Sequence, residues 1–206
     1  MGGRLPGLSW LLLGLAAACA AGLALRPEAW NWQAGLWLTE PWRLWTCVAV
    51  HGSVLHAAGN CFGALLLAAL AARAQAGRRE LLALLLAWPL THALLALRPD
   101  LPAYFGASGL LHGAATLIGL RLLQQAGRAR AVGAALLAGL ALKLGLEQPW
   151  GPALRDEPFW GGMATVPWAH ASGVIAGVVC GLGGLRARGA SQDVDPGTLK
   201  GRKRRA

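Results

Sequence analysis

The sequence predicts an all-α, polytopic membrane protein, a bundle of six transmembrane helices, on three observations. Apolar residues make up 55% of the 206-residue chain and charged residues only 14%, where a soluble domain carries about 25% charged residues. Six windows are apolar over nearly the roughly 20 residues that a membrane-spanning helix needs. The basic residues also concentrate in alternate connecting segments. Together these exclude a disordered chain, a disulfide-rich secreted scaffold and an ordinary water-soluble enzyme.

The first window, Leu5–Leu25, follows Arg4 and reads as a retained anchor. A signal peptide is the alternative, suggested by Ala16, Ala17 and Ala18 before Cys19, but its removal leaves an odd number of spans. The second is Leu44–Ala71. The third, fourth and fifth, Leu81–Leu97, Ser108–Gln124 and Ala131–Leu146, are short for a span, and Thr165–Leu185 is the sixth. Gly and Ala abound in them, which lets helices approach closely where lipid supplies no hydrophobic drive. No segment alternates apolar and polar residues over a useful length, so strands are not expected.

Charge sets the orientation. With the N-terminus in the cytoplasm, the inner segments hold Arg4, then Arg73, Arg78 and Arg79, then Arg121, Arg128 and Arg130. The outer segments hold Arg26, Arg43, Arg98 and Arg155, outnumbered by Glu28, Glu40, Asp100, Glu147, Asp156 and Glu157. Both termini are therefore expected inside. Residues 1–185 form the membrane domain in this reading. Residues 186–206 form a basic, disordered cytoplasmic tail. The net charge of +10 is assigned to surfaces facing anionic lipid rather than to nucleic acid, RNA binding by Lys200–Arg205 being the weaker reading. Trp30, Trp32, Trp37, Trp42 and Trp45, with Trp150, Trp160 and Trp168, read as outer-interface anchors. Cys19, Cys47, Cys61 and Cys180 lack metal-ligand spacing and read as small buried hydrophobes. No metal or other cofactor is expected.

Function in a membrane protein is sought at its intramembrane polar groups. His56 and Asn60 are four apart near the start of the second window and share a helix face, while His51 falls on the entrance turn. Ser108 and His112 are four apart at the start of the fourth. His170 lies just inside the sixth. Windows two, four and six all enter from the outer side, so these residues share one depth, and His92 ends the third window on that side too.

Such a set suits nucleophilic catalysis. Serine needs a base, and His170 is the candidate. Gly106 and Gly109 flank Ser108 and permit a tight turn into a helix start, whose free N–H groups face a developing oxyanion. His56 and Asn60 supply further donors. Gly173, Gly177 and Gly181 form a smooth strip that matches a notch at Gly109 and Gly113, so close helix packing brings Ser108 to His170. His112 lies against the His170 ring and holds it. No acidic residue stands in an obvious orienting place, so a Ser-His dyad is expected rather than a triad.

The order of these motifs resembles the rhomboid family of intramembrane serine proteases over residues 5–185. Trp42-Arg43-Leu44, Thr46, His51, His56 and Asn60 resemble that family's entry into its second helix. Gly106-Ala107-Ser108-Gly109 resembles its GxSG nucleophile motif, and His170 with Gly173 and Gly177 its base motif. The resemblance implies a six-helix rhomboid-like bundle, Ser108 as nucleophile, His170 as base, and His56 and Asn60 in the oxyanion hole. A finer resemblance is to the rhombosortase subgroup, through His112 and Lys143…Glu147-Gln148. It implies a bacterial inner-membrane protein whose active site faces the periplasm. Its substrates would be surface proteins with a glycine-rich C-terminal sorting tail. The first outer loop, 26–41, is shorter than in the wider family.

Lys143 and Glu147 are i and i+4 and read first as a structural ion pair securing the fifth helix. A substrate-facing role and proton conduction are the alternatives. The expected activity is endoproteolysis of single-pass membrane proteins near small residues, ending in hydrolysis or transfer. Two rivals remain at this level: an inactive rhomboid-like protein that binds transmembrane helices, and a transporter or metal- or haem-binding protein using the outer histidines.

Overall fold

The structure, a computed structural model, describes residues 5–156 and 164–192. It is mostly helical, with eight α-helices among the described residues. They are α1 (Gly7–Ala21), α2 (Pro27–Trp30), α3 (Arg43–Thr46), α4 (Val54–Arg73), α5 (Arg78–Ala93), α6 (Ser108–Leu123), α7 (Arg128–Glu147) and α8 (Pro167–Gln192). Arg4, Trp160 and tail residues 193–206, with Lys200–Arg205, lie outside the described residues.

Four stretches are long and apolar enough to cross a membrane: Gly7–Ala24, Val54–Arg73, Arg78–Leu97 and Arg128–Glu147. Ser108–Leu123 and Pro167–Gly183 are shorter apolar helices. The helices of the third and fifth windows are thus longer than the apolar runs, because they start on Arg78 and Arg128. The fourth stays short. At about 1.5 Å per residue, 16-residue α6 falls short of a hydrocarbon core of about 30 Å.

The second window is not one helix. Arg43–Thr46 and a 3₁₀ turn at Cys47–Ala49 precede a break, and α4 begins only after Ser53. The Ser53 side chain caps α4 by accepting from the His56 N–H at 3.1 Å, satisfying one of the orphan donors of a helix start.

Strands do occur, against expectation, as two antiparallel ladders of two residues a side. β1 (Trp32–Gln33) pairs with β2 (Ala103–Tyr104), and β3 (Arg155–Asp156) with β4 (Ala164–Thr165). Each joins two loops and is too short to leave an alternating pattern. The first buries Trp32 completely. Trp32 is therefore a core residue rather than an interface anchor, whereas Trp30, Trp42, Trp45 and Trp150 are exposed.

α6 is the axis of the bundle. It packs against α4, α5, α7 and α8, and from Gly109 to Gly119 every residue but His112 is buried. α1 covers α4 with Leu8, Leu12, Leu15, Ala16 and Cys19, a spacing of three to four that makes one buried face. α7 is the outlying helix, with Gly133 its one buried residue. Phe62, Leu66, Leu86, Leu142 and Leu146 point outward, as side chains facing lipid do. The four cysteines are free, Cys19 and Cys47 buried and the other two half-buried.

Candidate active site

Ser108 starts α6 behind a glycine whose backbone no other residue adopts easily. Gly106 has φ +110°, and a Cβ there would lie 2.6 Å from His56 Cε1. Its N–H donates to the Cys47 carbonyl at 2.9 Å, tying the turn to the broken entrance of α4. Gly106→Ala therefore combines backbone strain with displacement of His56. It is expected to destabilise the protein by about 1–3 kcal/mol, seen as a lower melting temperature in detergent.

Small-residue packing sets the distance between α6 and α8. A Cβ on Gly173 would lie 1.9 Å from the Gly109 carbonyl oxygen, and one on Gly177 2.8 Å from that of Gly113. Backbones in contact at this level bring the Ser108 and His170 side chains together. Ser108 Oγ donates to His170 Nε2 at 3.0 Å. His112 sits one turn along α6, its Nδ1–H donating to the Ser108 carbonyl at 2.7 Å. Its ring stacks on that of His170, with centroids 4.2 Å apart and planes 15° from parallel.

The expectation of no acidic orienter is corrected by the structure. Glu147, the last residue of α7, places Oε2 2.7 Å from His170 Nδ1. Its Oε1 pairs with the Lys143 ammonium. The i,i+4 ion pair read from the sequence is present, and the same carboxylate also reaches the imidazole. Spacing along α7 showed only the first contact, because the second depends on how α7 leans toward α8. The available signal was that Glu147 directly follows the fifth window, on the side where the expected topology also puts His170.

The end of α7 is held firmly. Gln148 adopts the left-handed conformation at the helix C-terminus (φ 50°). Arg98 donates to the Pro149 and Gly151 carbonyls at 2.7 and 2.8 Å, and Arg155 to the Leu146 carbonyl at 3.2 Å. Arg98 also grips Asp100 through two hydrogen bonds, which hold that exposed carboxyl below the usual carboxylate range.

Tyr104, the one tyrosine of the chain, was not singled out from the sequence. The β1–β2 ladder buries it beneath Ser108. Its hydroxyl accepts from the Gly109 N–H at 3.2 Å and lies 3.4 Å from Ser108 Oγ. Burial pushes its phenol up to about 12, so the proton stays on it at any working pH.

The five histidines divide by role. His92 is fully buried and donates from Nδ1 to the Leu44 carbonyl, a tether between α5 and α3. His51 donates from Nδ1 to the Ala49 carbonyl at 3.0 Å, so its Nε2 accepts from Asn60 Nδ2 at 3.0 Å. That contact fixes the Asn60 amide. His51 also meets the edge of the His56 ring, centroids 4.8 Å apart.

His56, Asn60, Ser108, His112, Lys143, Glu147 and His170 all border one cavity of about 720 Å³. It extends between α4 and α7, past Gly59, Gly63 and Leu67 on one side and Leu140 on the other. Among the described residues no three His, Cys, Asp or Glu side chains converge as a metal-binding group.

Comparison with known families gives a match to the Rhomboid domain over residues 38–187. No curated protein matches the chain.

Proposed function

The chain belongs to the rhomboid family, and from that premise we propose that it is an intramembrane serine endopeptidase with Ser108 as nucleophile and His170 as base. Members of the family are generally serine proteases acting on transmembrane substrates. The observation that carries the reading is the Ser108 Oγ–His170 Nε2 hydrogen bond at 3.0 Å, within the reach a nucleophile and its base require.

The reaction runs in two halves. As Ser108 Oγ bonds to the scissile carbonyl carbon, its proton passes to His170 Nε2. The oxyanion is met by first-turn N–H groups of α6 and by His56 and Asn60, bordering the same cavity. The C–N bond then breaks, and His170 gives its proton to the leaving amine. Water, losing a proton to His170, attacks the acyl carbon, the Oγ–C bond breaks, and the proton returns to Ser108 Oγ. The substrate helix must unwind for its carbonyl to reach Ser108, which glycine near the cut makes easier.

The six apolar helices are read as six spans with both termini cytoplasmic. In this reading the site opens on the outer side, which is the periplasm in the bacterial inner membrane that the rhombosortase resemblance implies. The favoured substrate is a single-pass protein whose C-terminus carries a glycine-rich sorting tail, as in the rhombosortase subgroup. The test is a reconstituted vesicle carrying such a substrate, with product termini read by mass spectrometry. The expected product is cut within the outer third of the span or just outside it. A free carboxyl at the new terminus marks hydrolysis, and an amine-capped one a transfer. Intact substrate beside folded enzyme would contradict the reading.

A further inference from the structure

We propose that Glu147 is a positioning residue of the catalytic unit. In this proposal, which rests on the protease reading above, it completes a Ser108–His170–Glu147 triad across α6, α8 and α7. The carboxylate takes the Nδ1–H of His170. This leaves the Nε2 lone pair facing the Ser108 hydroxyl, and a neutral imidazole has only one such arrangement. When the ring takes the serine proton, the adjacent negative charge stabilises the imidazolium, an effect that low dielectric strengthens.

The surroundings are built to hold that charge. Lys143 occupies the other carboxylate oxygen, so the acid enters the site as one half of an ion pair rather than as a lone buried charge. Arg98 and Arg155 fasten the backbone on either side of Glu147. The stacked His112 ring fixes the plane of the imidazole, and Glu147 fixes its rotation within that plane. α7 otherwise has few buried residues. Its outer end therefore couples the side of the cavity to the base: moving α7 away from α8 removes the partner of His170.

The test compares detergent-solubilised wild type with Glu147→Gln, Glu147→Asp, Lys143→Met and Ser108→Ala. It reads the rate of fluorophosphonate labelling and its pH profile. Glu147→Gln offers a donor to Nδ1 and favours the wrong tautomer. Labelling is expected to slow by about 10²- to 10⁴-fold with an altered pH profile. Glu147→Asp should restore part of the rate. Lys143→Met should lose less than Glu147→Gln, because the imidazole keeps its partner; equal losses would mean only an ion pair and would overturn the proposal. So would wild-type labelling and pH profile in Glu147→Gln, while silent Ser108→Ala would still uphold the protease reading. NMR of the ¹⁵N-histidine-labelled protein reads the contact directly, without activity. A far-downfield His170 Nδ1 proton is expected, lost in Glu147→Gln. Its absence from folded wild type would overturn the proposal whatever the labelling shows, and a wild type that labels nowhere would instead remove the protease reading beneath it.

Discussion

Ser108→Ala and His170→Ala are each expected to lower substrate cleavage by about 10⁴- to 10⁶-fold, and the double variant to be little worse than either alone. The two groups act as one unit, so removing either removes the attack, and such losses do not add. Ser108→Ala deletes the atom that bonds to the carbonyl. His170→Ala leaves Oγ without the acceptor 3.0 Å away and takes away the ring on which His112 stacks. Both variants should stay folded, since neither side chain sets the α6–α8 distance. Initial rates in vesicles, with melting temperatures alongside, check this.

Gly173→Ala is expected to be nearly as damaging by another route. Its new Cβ would fall 1.9 Å from the Gly109 carbonyl oxygen and 3.3 Å from the Gly113 nitrogen. Those are backbone atoms and cannot rotate away, so α8 must shift outward from α6 by about 1.5 Å to reach ordinary contact. Overpacking of this kind costs about 1–3 kcal/mol, and a misplacement of about 1 Å costs on the order of 10²-fold in rate. Gly139 supplies the control. Nothing lies within 4 Å of a Cβ there, so Gly139→Ala should leave cleavage unchanged and raise helix stability by about 0.5–1 kcal/mol. Rate and melting temperature measured for both variants separate packing from a general intolerance of alanine.

The helices and the serine–histidine pairing were legible because each is written locally. Apolar runs mark the helices. Glycines four apart mark the faces that approach, and Ser108 and His170 stand at the N-terminal ends of those faces. What was not legible depends on contacts between distant segments. Glu147 has a sufficient local explanation in Lys143, and only the lean of α7 brings it to His170. Tyr104 reaches Ser108 because a ladder of two residues a side joins segments some seventy residues apart, with no periodicity to announce it. The same ladder buries Trp32, which by composition looked like another interface anchor. The second window hid its break because Cys47–Val50 is apolar, and the Ser53 cap lies inside an otherwise membrane-like run.

The most direct measurement is mass spectrometry of the protein after reaction with a fluorophosphonate in a lipid environment. The expected spectrum places one phosphonate on Ser108, absent when His170 is alanine. A folded enzyme that cuts its substrate but carries the adduct on another side chain, or on none, would show that the reactive hydroxyl lies elsewhere.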